Sequence, residues 1–228
     1  MQQRSFSFFS SSVGSKIVMA VTGILLILFM VGHLIGNLSV YSGPEAVNAY
    51  AKFLHSMPLI LWKVRIGLLL VFVLHIWTSI RLSLKNKAAR PIAYTRRDTI
   101  KATLASRTMV LSGLVVLSFV IFHLAHFTWG LVTPESSNLT DAQGRHDVYS
   151  MMVLGFQNIY LVLFYLIAQG FLGLHISHGF SSAPQTLGLS QNSCTALWLR
   201  RIGVCFAILV VALYSSIPLS IWFGFITL

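Results

Sequence analysis

Five long stretches of almost unbroken apolar residues, separated by short polar segments, set the pattern of this chain. A helix needs about 20 apolar residues to cross a hydrocarbon layer about 30 Å thick. The runs that qualify are about 16–38, 59–84, 107–132, 149–180 and 202–226. Pro58 suits the first turn of the second, where its missing N–H costs nothing. Pro134 closes the third, Pro184 lies beyond the fourth, and Pro218 is expected to kink the end of the fifth. No strand alternation appears. The pattern predicts an all-α, integral membrane bundle of five transmembrane helices, with residues 15–228 as one domain. Residues 1–14, rich in Ser and Phe, read as an interfacial or partner-contacting arm, with a disordered tail as the alternative. No internal repeat of fixed period is evident.

Composition agrees with that reading. Hydrophobic residues make up 56% of the chain and charged residues 9%, with a mean hydropathy of +0.79. Soluble surfaces carry far more charge than this. The net charge of +11 would suit nucleic acid if the basic residues lined one polar face. They fall between the apolar runs instead, so no nucleic-acid partner is expected. The first run, Ile17 to Leu38, is too long for a signal-peptide core and lacks a small-residue cleavage site, so it reads as a retained helix. Cys194 and Cys205 form neither a metal motif nor a C-x-x-C-H haem-attachment motif.

Charge also predicts orientation. Lys85, Lys87, Arg90, Arg96, Arg97, Lys101 and Arg107 lie between the second and third runs, against Asp98 alone. The loop after the third run carries Glu135, Asp141 and Asp147 against Arg145. Basic loops stay cytoplasmic, which puts the N-terminus inside and the C-terminus outside. Arg4, Lys16, Arg200 and Arg201 agree, while Lys52, Lys63 and Arg65 dissent.

The candidate chemistry lies in the histidines. His33, His75, His123, His126, His175 and His178 all fall within apolar runs, and ionisable groups at membrane depth are expensive unless they serve a function or a partner. At 1.5 Å of rise per residue, position in a run gives height, and His33 lies about 9 Å beyond the middle of the first helix. The first and third helices run outward and the second and fourth inward. His33 and His123 therefore share an outer level, and His75 and His175 an inner level about 15 Å away. Each pair joins two helices, as bis-histidine haem ligation in a bundle requires. Gly32 and Gly36 near His33, and Gly170, Gly173 and Gly179 around His175, offer room for a porphyrin face or, equally, for close helix packing. Zinc fits poorly, because the runs hold no acid and the two H-x-x-H pairs differ in height. His126 and His178 remain as supporting groups, or as substitutes for their neighbouring ligands.

These motifs resemble a known family. M-A-V-T-G and G-H-L-I-G-N in the first run, V-L-H-I-W-T-S-I-R-L in the second, S-G-L-V-V-L-S-F-V-I-F-H in the third and H-I-S-H-G-F in the fourth are similar to the five-helix, two-haem (b558-type) cytochrome b subunit of bacterial succinate dehydrogenases and fumarate reductases. The segment E-A-V-N-A-Y-A-K-F-L-H-S-M-P resembles that family's outer connection, so the likeness spans nearly the whole chain. It implies two b haems, held by His33 with His123 and by His75 with His175. It also implies flavoprotein and iron–sulfur subunits on the cytoplasmic face of the bacterial inner membrane, and electron exchange with quinone, menaquinone by the two-haem resemblance. The chain itself holds no dicarboxylate site, no Rossmann fingerprint and no cysteine cluster. His55 matches an acidic position of some relatives and is a candidate for proton exchange with quinone, with Glu45 nearby. Arg81 and Lys16 are candidate propionate partners. Gly173 stands where certain fumarate reductases have a glutamate, which leaves that proton route in doubt. A higher oligomer of the complex is open. The alternatives are a quinone-linked anchor of hydrogenase or formate dehydrogenase type, and a haem-free membrane anchor.

Overall fold

The computed structural model describes residues 11–89, 103–190 and 192–228. The described residues form eight helices and no strand, with one isolated bridge between Thr140 and His146. Five helices are long and apolar enough to cross a membrane. The fold is an all-α bundle of five such helices, and the chain is a multi-pass membrane protein.

Helix α1 spans Ser12–Leu38. Ser11 caps it, its hydroxyl accepting from the Gly14 amide at 2.8 Å, so the helix takes in the last residues of the expected arm. A 3-10 turn at Ser39–Ser42 leads to α2, Pro44–His55. Gly43, at φ 90°, makes the corner. Pro44 opens α2, Glu45 sits in its first turn, and Lys52 and His55 in its last, each complementing the helix dipole. Helix α3 spans Pro58–Ala88.

The third run is shorter than its hydropathy suggests. A single turn, α4 at Leu104–Arg107, precedes α5 at Met109–Phe127. Beyond α5 the backbone turns away at Gly130, φ 61°, although the segment to Val132 stays apolar. The fourth run is two helices: α6 over Val148–Gly155 and α7 over Ile159–Thr186. Asp147 caps α6 by accepting from the Ser150 amide, and Asn158 caps α7 by accepting from the Tyr160 amide. Pro184 lies inside the final turns of α7 rather than beyond them. Helix α8 spans Ser193–Trp222. It starts before Ile202 because Asn192 caps it at the Thr195 amide, which carries Arg200 and Arg201 on helix, with Arg201 over the Trp198 ring.

Four of the five long helices form an incomplete ring. Helix α1 packs on α3 and α7, and α5 packs on α7, while α3 and α5 do not pack closely on each other. Helix α8 lies against α7 and α1. The ring order is therefore α3, α1, α7, α5, and α1 with α5, like α3 with α7, are diagonal partners. The two ends differ. Helix α2, the segment after α5, and α6 gather at one end, which we call the α2 end, around a core of Val40, Val47, Met152, Val153, Phe156 and Ile221.

Most of the outer surface is apolar. Leu69, Leu70, Val73 and Ile80 of α3 are all more than half exposed in the isolated chain, which suits a helix facing lipid. The glycines divide by what a methyl group would meet. At Gly36 it would meet the Tyr50 ring of α2, and at Gly173 it would meet Val211 of α8. Those two serve helix packing. Gly32, Gly170 and Gly179 have nothing within 4 Å.

Candidate functional site: two histidine pairs on the bundle diagonals

Both expected pairs meet. The ring centres of His33 on α1 and His123 on α5 lie 5.8 Å apart, with planes at 83°. Those of His75 on α3 and His175 on α7 lie 6.3 Å apart, at 70°. Each pair spans a diagonal of the helix ring. An iron held by two imidazole nitrogens at about 2 Å, with each ring centre roughly 1 Å further back, would set the centres about 6 Å apart. The donor set fits haem iron on that ground. Among the described residues no group of three or more His, Cys, Asp or Glu could hold a metal ion.

The second test is the proton on each ring. A histidine ligates through a lone pair, so its other nitrogen must carry the hydrogen. His75 Nδ1 lies 3.1 Å from the Thr22 hydroxyl. That hydroxyl donates its one proton to the Val18 carbonyl at 2.7 Å, so towards His75 it can only accept. His175 Nδ1 lies 3.2 Å from the Ser112 hydroxyl, whose proton goes to the Met109 carbonyl at 3.2 Å. With the hydroxyl protons on those carbonyls, both histidines carry their hydrogen on Nδ1, which leaves the Nε2 lone pair open. Gly23 and Gly113 follow these hydroxyls in sequence. A methyl group there would press on the imidazole Cε1 at 3.3 Å and 3.4 Å. The glycines that lie against the paired imidazoles of His75 and His175 are these two, not those singled out by neighbourhood.

The arrangement exposes a repeat that inspection of the sequence does not show. Thr22, Gly23 and His33 on α1 correspond to Ser112, Gly113 and His123 on α5, and His75-Ile76 on α3 corresponds to His175-Ile176 on α7. Thr22 and Ser112 mark the level of the pair away from α2. Eleven positions separate each from the histidine further along its helix, which puts the two levels about 16 Å apart.

The neighbouring histidines separate cleanly. His126 has no exposed surface; its ring stacks on Phe127 at 3.9 Å, and Gly155 closes over its Nε2. No room remains there for a porphyrin. His123 keeps partial exposure and faces His33, so His123 is the ligand candidate. Its Nδ1 lies 3.3 Å from the Tyr165 hydroxyl, and His126 Nδ1 lies 2.9 Å from the same oxygen. His126 Nε2 has no hydrogen-bond partner among the described residues, an arrangement that ordinarily costs about 1–3 kcal/mol. His33 lies parallel to the Phe29 ring at 5.6 Å. His178 is half-buried, three positions past His175.

The remaining candidates spread apart. Lys16 and Arg81 each lie six positions, about 9 Å, beyond the level of the Thr22–His75 contact, both towards the end opposite α2. Arg81 packs over the Trp77 ring at 5.3 Å. His55 is exposed in the last turn of α2. Glu45 is ten positions earlier on that helix, about 15 Å away, so the two do not share one site. Arg90, Arg96, Arg97, Asp98 and Lys101 lie outside the described residues, as does Arg4.

Glu45 instead belongs to a polar clasp. Arg145 donates to both Glu45 oxygens, at 2.8 Å and 2.7 Å, and to Asp141 at 2.6 Å. Asn48, 1% exposed, donates to Asp141 and Asp147 and accepts from the Tyr149 amide. The clasp ties α2 to the segment before α6. Hydrogen bonds from Arg145 hold the Glu45 carboxyl below its ordinary value. Burial pushes Asp141 up, but the Arg145 backbone and side-chain bonds and the Gln143 amide outweigh it, and the net shift is downward. Asp147 behaves alike: burial raises it, and bonds from Ser150 and Asn48 prevail. Carboxyls depressed in the folded state contribute stability that is present above their unfolded values, near pH 4, and is lost as pH falls below them. Acid on this face is therefore expected to speed proteolytic cleavage between α5 and α6. Arg145→Gln should give faster cleavage at neutral pH with a smaller acid response, the remainder coming from Asp147; an unchanged acid response would remove Arg145 from the clasp.

Comparison of the chain with family models, curated proteins and solved structures finds no match. Fold and site together define a membrane-spanning helical bundle with two interior histidine pairs.

Proposed function

We propose that the chain is the membrane-anchor cytochrome b subunit of a succinate:quinone oxidoreductase, holding two b haems, in a bacterial cytoplasmic membrane. The observation that carries this reading is the pairing of four imidazoles on the two diagonals of the bundle, with a hydroxyl that already bonds its own helix backbone against Nδ1 of two of them. A haem-free anchor gains nothing from a hydroxyl placed behind each imidazole of a facing pair.

In this reading His75 and His175 hold one haem and His33 and His123 the other. Bound haem supplies one-electron carriage, and the ~16 Å between levels lets electrons cross the bundle in two steps. The positive-inside pattern places the end opposite α2 in the cytoplasm. Flavoprotein and iron–sulfur subunits would dock there, since the chain holds no flavin or cluster motif. Lys16 and Arg81 stand on that side as cations for the propionates. Quinone, menaquinone in this proposal, would exchange electrons near the α2 end, where exposed His55 is the candidate for handing protons to it. The clasp positions α2 there, and Glu45 supports the site by anchoring that helix rather than by meeting quinone itself.

The test is the haem content of the purified full chain. Two haems per polypeptide, with b-type absorption bands on reduction, are expected. A colourless protein overturns the reading and leaves a membrane anchor.

A further inference from the structure

The two levels differ in how their histidines are held. At the Thr22 and Ser112 level each hydroxyl sits on its own helix backbone and delivers its proton to a carbonyl within the preceding turn. Such a hydroxyl is an acceptor of fixed strength towards the imidazole. At the α2 end the corresponding oxygen is the phenol of Tyr165, on α7. Its hydroxyl stands between His123 Nδ1 at 3.3 Å and His126 Nδ1 at 2.9 Å. The ring cannot swing away: Tyr165 is 3% exposed, with Phe119 and Phe156 edge-on at 5.1 Å and 4.9 Å.

One phenolic proton faces two imidazoles, and the phenol oxygen can also accept, so three arrangements exist: donation to His123, donation to His126, or acceptance from both rings. Tyr165 can donate to His123, which then carries its hydrogen on Nε2 and cannot ligate. Alternatively Tyr165 donates to His126, over the shorter of the two separations, and accepts from His123 Nδ1–H. Both this arrangement and acceptance from both rings leave His123 with a lone pair at Nε2, but only this one gives the phenolic proton an acceptor at the site. His126 is then an acceptor towards the phenol. That role explains a fully buried histidine placed where no ligand fits: donation to it enriches the phenol oxygen, which becomes a stronger acceptor for the His123 N–H.

We propose that Tyr165 and His126 form a hydrogen-bond relay that fixes His123 as its Nδ1–H tautomer and lowers the reduction potential of the haem at the α2 end, an inference that rests on the haem reading above. The physical lever is ligand basicity. A stronger acceptor behind an axial imidazole pushes electron density to the iron and favours its oxidised form. Tyr165 and His126 are positioning residues, since both act through His123. Their effect is confined to one level, because the other pair is held by Thr22 and Ser112.

The experiment is a redox titration of the full chain carrying both haems, followed by absorbance, with the low-spin electron paramagnetic resonance signal of each haem as a second readout. Tyr165→Phe keeps the ring and removes both bonds. It is expected to shift the oxidised-to-reduced ratio of one haem about tenfold towards reduced, about 59 mV for one electron, and to leave the other haem unchanged. His126→Leu should shift the same haem in the same direction by less, and His126→Gln, which keeps an acceptor, should restore the wild-type value. The double variant Tyr165→Phe/His126→Leu should match Tyr165→Phe alone, because the two act in series. Unchanged potentials and signals in Tyr165→Phe overturn the relay, and so do equal shifts at both haems, which would mark a general loosening. If Tyr165→Phe does not assemble, the Leu and Gln variants at His126 decide: equal behaviour of the two overturns the proposal. A wild-type chain without haem overturns the reading beneath it as well, whereas two haems insensitive to Tyr165 and His126 overturn the relay alone.

Discussion

Replacing His75 or His175 by alanine is expected to leave one haem of two, and replacing His33 or His123 to leave the other. Haem per polypeptide and the spectrum of the reduced protein measure both outcomes. The selectivity follows from geometry. The levels are about 16 Å apart and share no ligand, so loss of one imidazole from a level leaves the second intact. Alanine at His126 or His178 should keep two haems, since His126 has no exposed surface and neither ring closes a diagonal pair. The four ligand variants together also separate the reading from a histidine-lined polar path, in which no substitution changes a spectrum. Loss of haem from His126→Ala with full retention in His123→Ala would move the ligand by one turn and break the pairing with His33.

The spans and the histidine levels were legible because both depend on one-dimensional quantities. Hydropathy locates the long helices, and rise per residue converts position to height. What the chain hides is rotation about each helix axis. His123 and His126 differ by less than one turn in height, and only the azimuth tells which faces α1. Tyr165 was invisible for the same reason: a tyrosine in an apolar run needs a polar partner when buried, but spacing does not name that partner. The break between α6 and α7 had readable signals in Gly155 and the capping residue Asn158. A 20-residue hydropathy window averages over both. Helix α2 likewise carries Pro44 and Glu45 in its first turn and Lys52 and His55 in its last, yet it is too short and too polar to register as a span, so it read as a loop.

The duplicated Thr/Ser-Gly and histidine positions show the same limit from another side. Between them most residues of α1 and α5 differ, Phe29 and Phe119 excepted. The hydroxyl, the glycine beside it and the histidine are among the positions that repeat. The structure shows what sits there: a hydroxyl against an imidazole, a glycine that lets the ring close, and a histidine eleven positions on.

Thr22→Val is therefore expected to weaken haem at the level away from α2 by about 10–100-fold, the range found when the partner behind a metal-bound histidine is lost. Valine keeps the shape of threonine and removes the acceptor. His75 is then left with an unpaired Nδ1–H in an apolar surrounding, or shifts its hydrogen to Nε2 and surrenders the lone pair. Ser112→Ala should act in the same way through His175, and Thr22→Ser should hold haem as the wild type does. Transfer of haem to an excess of a soluble haem-scavenging protein measures the effect, with one kinetic phase accelerated and the other not. The Tyr165 level provides the control within the same molecule. If Thr22→Val and Ser112→Ala release haem no faster than wild type, hydroxyl control of the tautomer is not what holds these rings, and the pairing at that level reduces to the fit of two imidazoles across a diagonal.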